Sequence, residues 1–139
     1  WRAYSAFTAL HLSYLKRRYR QARYSVSLPR LRPAVGGYNP ACPIDDKGML
    51  QLILAFRLLD QHLEISLSTR ESEAFRNNVL TFGITSMSAG SHTEPGGYAE
   101  EHEELEQFII NDSRSPEAFA QYLRSVGYEP VWKDWDGWL

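Results

Sequence analysis

Near the middle of the chain runs Ser66-Leu67-Ser68-Thr69-Arg70-Glu71. Apolar and small polar residues alternate through it, so it reads as a strand with one greasy and one polar face. It ends in an arginine and runs straight into a helix start. The same Ser-x-Ser core recurs at Ser25-Val26-Ser27, before Pro29-Arg30-Leu31-Arg32-Pro33, and at Ser86-Met87-Ser88, before Ala89-Gly90-Ser91-His92. The chain therefore offers strands of one design, each followed by polar or basic residues.

On either side, the spacing predicts helices between these strands. Ala3 to Gln21 carries Phe7, Leu10, Tyr14 and Leu15 at helical spacing and ends basic, which suits a helix C-terminus. Tyr24 to Leu28 alternates as a strand, stopped by Pro29 and Pro33. Ala34 to Pro43 is a loop by composition. Asp45 or Asp46 caps a helix over Lys47 to Gln61. That helix is apolar on most sides, which predicts packing on several sides. Leu63 to Thr69 is the second strand. Ser72 caps a short helix over Glu73 to Leu80, ending near Gly83. Ile84 to Ala89 is the third strand. Ser91 to Ser113 is a long polar connection with Pro95-Gly96-Gly97 and an acidic run from Glu100 to Glu106; so long a connection is usually functional or flexible. Ser115 as N-cap, Pro116 at the first helical position, Phe119, Tyr122, Leu123 and Val126 on one face, and a closing Gly127 mark the clearest helix. The tail Tyr128 to Leu139 holds Trp132, Trp135 and Trp138, read as packing aromatics.

Alternation of helix and strand implies an α/β fold with a parallel sheet. A sheet buried on both faces would be apolar throughout. These strands have one face of serines, which suits an open barrel lumen or a ligand cleft. The expected architecture is a partial (β/α) TIM-type barrel, about three parallel strands with flanking helices. In such folds chemistry sits at the C-terminal ends of the strands, where Arg30, Arg32, Arg70, Ser88, Ser91 and His92 fall.

Composition narrows the function. The chain has 139 residues, 43% hydrophobic and 23% charged, with net charge −2. That is one modest domain with a core. The charge balance argues against coating nucleic acid or lying on a membrane. The basic cluster Lys16-Arg17-Arg18 with Arg20 and Arg23 reads as a solvated helix face. No run approaches the roughly 18 apolar residues of a membrane span. The single cysteine, Cys42, excludes a disulfide within the chain and suits a cytoplasmic setting; nothing beside it in sequence would activate it as a nucleophile. A gly-rich phosphate loop, an HExxH and a cysteine-pair metal signature are all missing from the sequence. The chain begins inside a helix, which suggests a piece of something longer.

Arg70 is the leading site residue. On the strand pattern it shares a face with Ser66 and Ser68, and a guanidinium pairs bidentately with a carboxylate. A salt bridge to Glu71, Glu73 or the acidic run would use it instead. Arg30 and Arg32 are weaker candidates, because the flanking prolines leave their direction unread. Ser88 suits a ligand's polar end, or is a small residue inside a barrel. His92 is a candidate acid, base or ligand; His11, His62 and His102 read as surface or helix-end histidines.

Five motifs in order carry a resemblance. They are Pro29-Arg30-Leu31-Arg32-Pro33; Leu67-Ser68-Thr69-Arg70-Glu71; Ser88-Ala89-Gly90-Ser91 with Pro95-Gly96-Gly97-Tyr98; Leu105-Glu106-Gln107-Phe108; and Val131-Trp132-Lys133-Asp134-Trp135. With them the whole chain resembles the C-terminal portion of the radical S-adenosylmethionine tyrosine lyases of thiamin biosynthesis, the 2-iminoacetate synthases. That region is shared with biotin synthase as the biotin and thiamin synthesis associated domain. The resemblance implies a (β/α) barrel in which a [4Fe-4S] cluster cleaves S-adenosylmethionine and starts scission of the Cα–Cβ bond of L-tyrosine, giving 2-iminoacetate and p-cresol. It also implies thiazole synthase as a protein partner. In the related tryptophan lyase an arginine and a serine hold the substrate amino acid. Carried over by motif these are Arg70 and Ser88, with Ser91 able to align instead.

The cluster motif needs three cysteines and only Cys42 is present. Residues 1–139 are therefore expected to be a single part-barrel domain without the cluster-binding part, inactive alone and binding neither cluster nor cofactor. The hydrogenase-maturation tyrosine lyase resembles the chain up to Gly96-Gly97-Tyr98, but ends in a cysteine pair that this tail lacks. The alternative from another class is a non-catalytic α/β module that self-associates, or binds a partner, through open sheet edges.

Overall fold

Serine caps, a proline stop and the period-2 strands produce the alternating order directly. The computed structural model describes residues 1–31, 41–92 and 110–132. Its elements are α1 (Arg2–Arg18), β1 (Ser25–Ser27), α2 (Asp46–Leu59), β2 (Glu64–Leu67), α3 (Glu73–Val79), β3 (Ser86–Met87) and α4 (Pro116–Ser125). The three strands form one parallel sheet in the order β1-β2-β3. The α/β class with parallel strands and flanking helices is as the alternation implies. The caps hold as well: Asp45 accepts from the Gly48 N–H, Ser72 from that of Phe75 and Ser115 from that of Ala118.

Burial follows the pleat. Leu63, Ile65, Leu67 and Thr69 are buried, whereas Glu64, Ser66, Ser68 and Arg70 are half-buried on the other face. The apolar face meets the helices in two clusters. Met49 and Ile53 of α2 pack with Leu67 and with Phe75 and Val79 of α3. Leu12 of α1 and Phe56 of α2 pack with Leu63 and Ile65. Losing a side chain such as Ile53, which has no exposed surface, would cost about 2–5 kcal/mol.

Three expectations need correction. The first helix stops at Arg18 instead of Gln21, because Tyr19 leaves helical geometry at φ −126°, ψ 75°. The Tyr24 hydroxyl then takes up the carbonyls of Leu15 and Tyr19, each at 2.9 Å. The strands are shorter than the alternation suggests. At the start of β3 the Thr85 N–H donates to the Ile65 carbonyl at 3.0 Å, but the Ile65 N–H donates to the Thr85 hydroxyl at 2.6 Å, so a side chain stands where a backbone acceptor would complete the ladder. Finally, among the described residues α2 is packed mainly on one side. It buries Met49, Ile53 and Phe56, while Leu58 is 88% exposed and Leu54 and Leu59 also face outward. The sheet meets only one side of it.

Candidate functional site

The polar face of the sheet is a grid of small side chains. The register aligns Ser27, Ser66 and Ser86 in one row, and Ser25 with Glu64 in the row before it. The Ser88 N–H donates to the Leu67 carbonyl at 3.2 Å, so the pairing runs one step past β3 toward Ser68 and Ser88. Parallel pairing puts partners on one face. Arg70, two residues beyond Ser68, lies at the C-terminal end of this face. Past the ladder, the backbone is held by side chains: Ser88 Oγ accepts from the Thr69 N–H at 3.2 Å and Ser68 Oγ from the Arg70 N–H at 3.4 Å.

The other site candidates separate. Arg30 is 5% exposed and its guanidinium is engaged by carboxylates. Its Nε donates to Glu71 Oε2 at 2.7 Å, its Nη2 forms an ion pair with the same oxygen, and its Nη1 reaches Asp46 Oδ1 at 2.5 Å. The group lies 4.7 Å over the Phe75 ring. Burial works against its charge, yet the bonds to Glu71 and Asp46 outweigh burial and its pKa rises above the ordinary value. Arg30 thus braces the residue next to Arg70. Ser88 is exposed, Ser91 half-buried and His92 exposed at the end of the same strand. Arg32, the motif from Pro95 to Tyr98, the acidic run, Leu105 to Phe108 and Trp135 lie outside the described residues. Of the carboxylates near Arg70 in sequence, Glu71 pairs with Arg30, and Glu73 stands 3.6 Å from Arg114.

A second ion cluster has no counterpart in the sequence reading. Asp112 has no exposed side-chain surface and is shared by two arginines. Arg76, 1% exposed, forms an ion pair with Asp112 and donates from Nη2 to the Ser88 carbonyl. Arg114 donates from Nε and Nη2 at 2.9 and 2.6 Å. Both guanidiniums lie against Phe119 of α4, at 4.7 and 4.8 Å. Burial alone would raise the Asp112 pKa; the bonds from Arg114 and the charge of Arg76 hold it below the ordinary value instead. Burial pushes the Arg76 pKa down, with Asp112 opposing. Nearby, the N–H groups of Asn111 and Asp112 both donate to the Thr69 carbonyl, at 2.9 and 3.1 Å, and Asn111 Nδ2 donates to the Arg70 carbonyl at 2.6 Å. The segment after the long connection therefore returns to the mouth of β2. Only the charges themselves hinted at this, since Arg76 and Asp112 are 36 residues apart.

With that geometry in view, residues 27–129 match the family described as the Biotin and Thiamin Synthesis associated domain. The chain belongs to this family. The match runs from the last residue of β1 to just past α4, and takes in the site residues from Ser27 to Phe119. Two curated relatives, both named 2-iminoacetate synthase, share 52% identity (Salmonella typhimurium) and 53% identity (Escherichia coli) with the domain over all 139 residues. The chain spans 37% of the length of each, in their C-terminal portion. Among solved structures, HydG, a maturase of the FeFe-hydrogenase, superposes with a TM-score of 0.80 at 35% identity, covering 89% of this chain and 27% of HydG. HydG from Carboxydothermus hydrogenoformans gives 0.74 at 30% identity, covering 87% of this chain and 28% of that one. Among the described residues no group of three or more His, Cys, Asp or Glu side chains could hold a metal ion, and none of the helices is long and apolar enough to cross a membrane.

Proposed function

We propose that this chain is the substrate-side C-terminal portion of a radical S-adenosylmethionine lyase that cleaves the Cα–Cβ bond of L-tyrosine to 2-iminoacetate, for the thiamin thiazole, and p-cresol. The observation that carries the reading is identity above half across the whole chain with 2-iminoacetate synthase. It exceeds the identity to HydG, which favours the thiamin branch over hydrogenase maturation. In this reading the three strands belong to a (β/α) barrel completed by the rest of the enzyme, with the serine face toward the lumen. Arg70 holds the tyrosine carboxylate by a charge-assisted pair, and Ser88 or Ser91 meets a polar group of the same substrate. Arg30 braces Glu71, and Arg32 remains a further candidate for the mouth. Thiazole synthase, which would receive the product, is the protein partner, and the setting is cytoplasmic.

S-adenosylmethionine and a [4Fe-4S] cluster would supply the radical chemistry in the full-length enzyme. The cluster needs three thiolates and the chain has one cysteine, the exposed Cys42. The residues here do not fit the cluster, so the domain alone is expected to be inactive. Its own work is to bind and orient the substrate. In the full-length enzyme Arg70→Ala is expected to raise the tyrosine KM roughly 10- to 100-fold, as for loss of a charged hydrogen bond. Arg70→Lys should recover part of that loss, since it keeps the charge without the fork. Unchanged p-cresol formation and unchanged tyrosine affinity in both variants would overturn the assignment.

A further inference from the structure

The geometry points to Asn111 as a positioning residue that fixes Arg70 for substrate, an inference that rests on the proposed role of Arg70. The strand β2 ends at Leu67, and the carbonyls of Thr69 and Arg70 lie beyond it. Both are taken by one residue and its neighbour. The Asn111 N–H and side-chain amide donate to Thr69 and Arg70 in turn, at 2.9 and 2.6 Å, and the Asp112 N–H adds a second bond to Thr69 at 3.1 Å. On the far side, Glu71 is pinned by Arg30. The Glu71 N–H also donates to the Ser68 carbonyl at 3.3 Å, so the backbone is held on both sides of Arg70, and a side chain on a fixed backbone loses less entropy when it meets its ligand. Asp112 in turn is anchored through Arg76, which also holds the Ser88 carbonyl. Arg70 and Ser88 are thus set relative to each other through the segment that follows the long connection. The Asn111 side chain is exposed, so it adds little to the core; its reach to the Arg70 carbonyl is its distinguishing contact.

The test uses the full-length enzyme, with Asn111→Ala, Arg70→Lys and the double variant. Readouts are tyrosine affinity by calorimetry, the KM against kcat split, and the thermal midpoint. Asn111→Ala is expected to weaken tyrosine roughly fivefold, the worth of one ordinary hydrogen bond. kcat and the thermal midpoint should stay near those of the parent, and the double variant should lose less than the sum of the singles. A lowered midpoint with unchanged tyrosine affinity would make Asn111 merely structural and overturn the inference. Additive losses would also overturn it, since Asn111 would then act independently of Arg70. If Arg70→Ala and Arg70→Lys both leave tyrosine affinity intact, the role of Arg70 falls first, and that of Asn111 falls with it.

Discussion

At Asp112 two guanidiniums share one carboxylate that has no contact with solvent. Taking such charges out of water is costly, and their mutual attraction offsets that cost only while all of them are present. Asp112→Asn would leave Arg76 buried without its counter-charge, so a loss of about 3–5 kcal/mol is expected. The sign of the pH dependence follows from the direction of the shift. The folded-state pKa of Asp112 lies below its ordinary 3.8, so the cluster's stabilisation is complete above that value and is lost as pH falls through the folded pKa. Asp60, held down by Lys16, adds a contribution of the same sign. A urea-midpoint series from pH 7 to pH 2 should therefore fall steeply on the acid side for the parent and more shallowly for Asp112→Asn; parallel curves would refute the role of the cluster. This cluster was illegible in the sequence because ion pairs declare themselves only when the chain folds back. The position of Arg70 at the end of the serine face was legible because it depends on strand period alone. Arg30 shows the limit of that logic: proline-flanked, it had no readable direction, and its partner Glu71 lies 41 residues away.

Elements with their own local signals were readable almost to the residue. In α4, Ser115, Pro116 and Gly127 mark both ends, and the C-terminus closes as a Schellman motif, with the Gly127 N–H on the Arg124 carbonyl at 3.1 Å and the Tyr128 N–H on that of Leu123 at 2.9 Å. The strand ends were less readable, because a Thr85 side chain entering the ladder has no periodic signature. Two glycines of left-handed φ allow a comparison. Gly127, at φ 88°, has open space where a Cβ would go. Gly127→Ala should therefore cost only the backbone penalty, about 1–2 kcal/mol. Gly90, at φ 59°, would place a Cβ 2.7 Å from Pro116 Cδ, at the start of α4. The Gly90 N–H also donates to the Arg114 carbonyl at 3.2 Å. Gly90→Ala must pay the same backbone penalty and move α4 away from the end of β3. Its thermal midpoint should fall further than that of Gly127→Ala, and equal midpoints would mean that the close approach carries no weight.

Over the whole molecule, apolar surface and sheet edges are left over. Among the described residues β1 and β3 each pair on one side only. On α1, Tyr4, Phe7 and Tyr14 are 82%, 67% and 64% exposed, and on α2 Leu58 is 88% exposed. Contiguous apolar faces of this kind mark interaction surfaces or aggregation sites, and unpaired edges act the same way. The excess apolar character of α2 was visible in the sequence; what covers it was not, because periodicity reports that a face is greasy without naming its partner. The part-barrel proposal supplies a covering for these faces in the rest of a longer enzyme, and that makes opposite predictions for the two forms. In the 139-residue chain by itself, the exposed faces should drive association, so velocity sedimentation should show species larger than a monomer. Phe7→Glu with Leu58→Glu should shift that distribution toward monomer. In the full-length enzyme the same pair of charges would enter covered surface without partners, a desolvation cost of several kcal/mol, and the thermal midpoint should fall. A full-length midpoint that the double substitution leaves unchanged would show that α1 and α2 face solvent there too. The edges of β1 and β3 would then be the remaining place for the rest of a barrel to join.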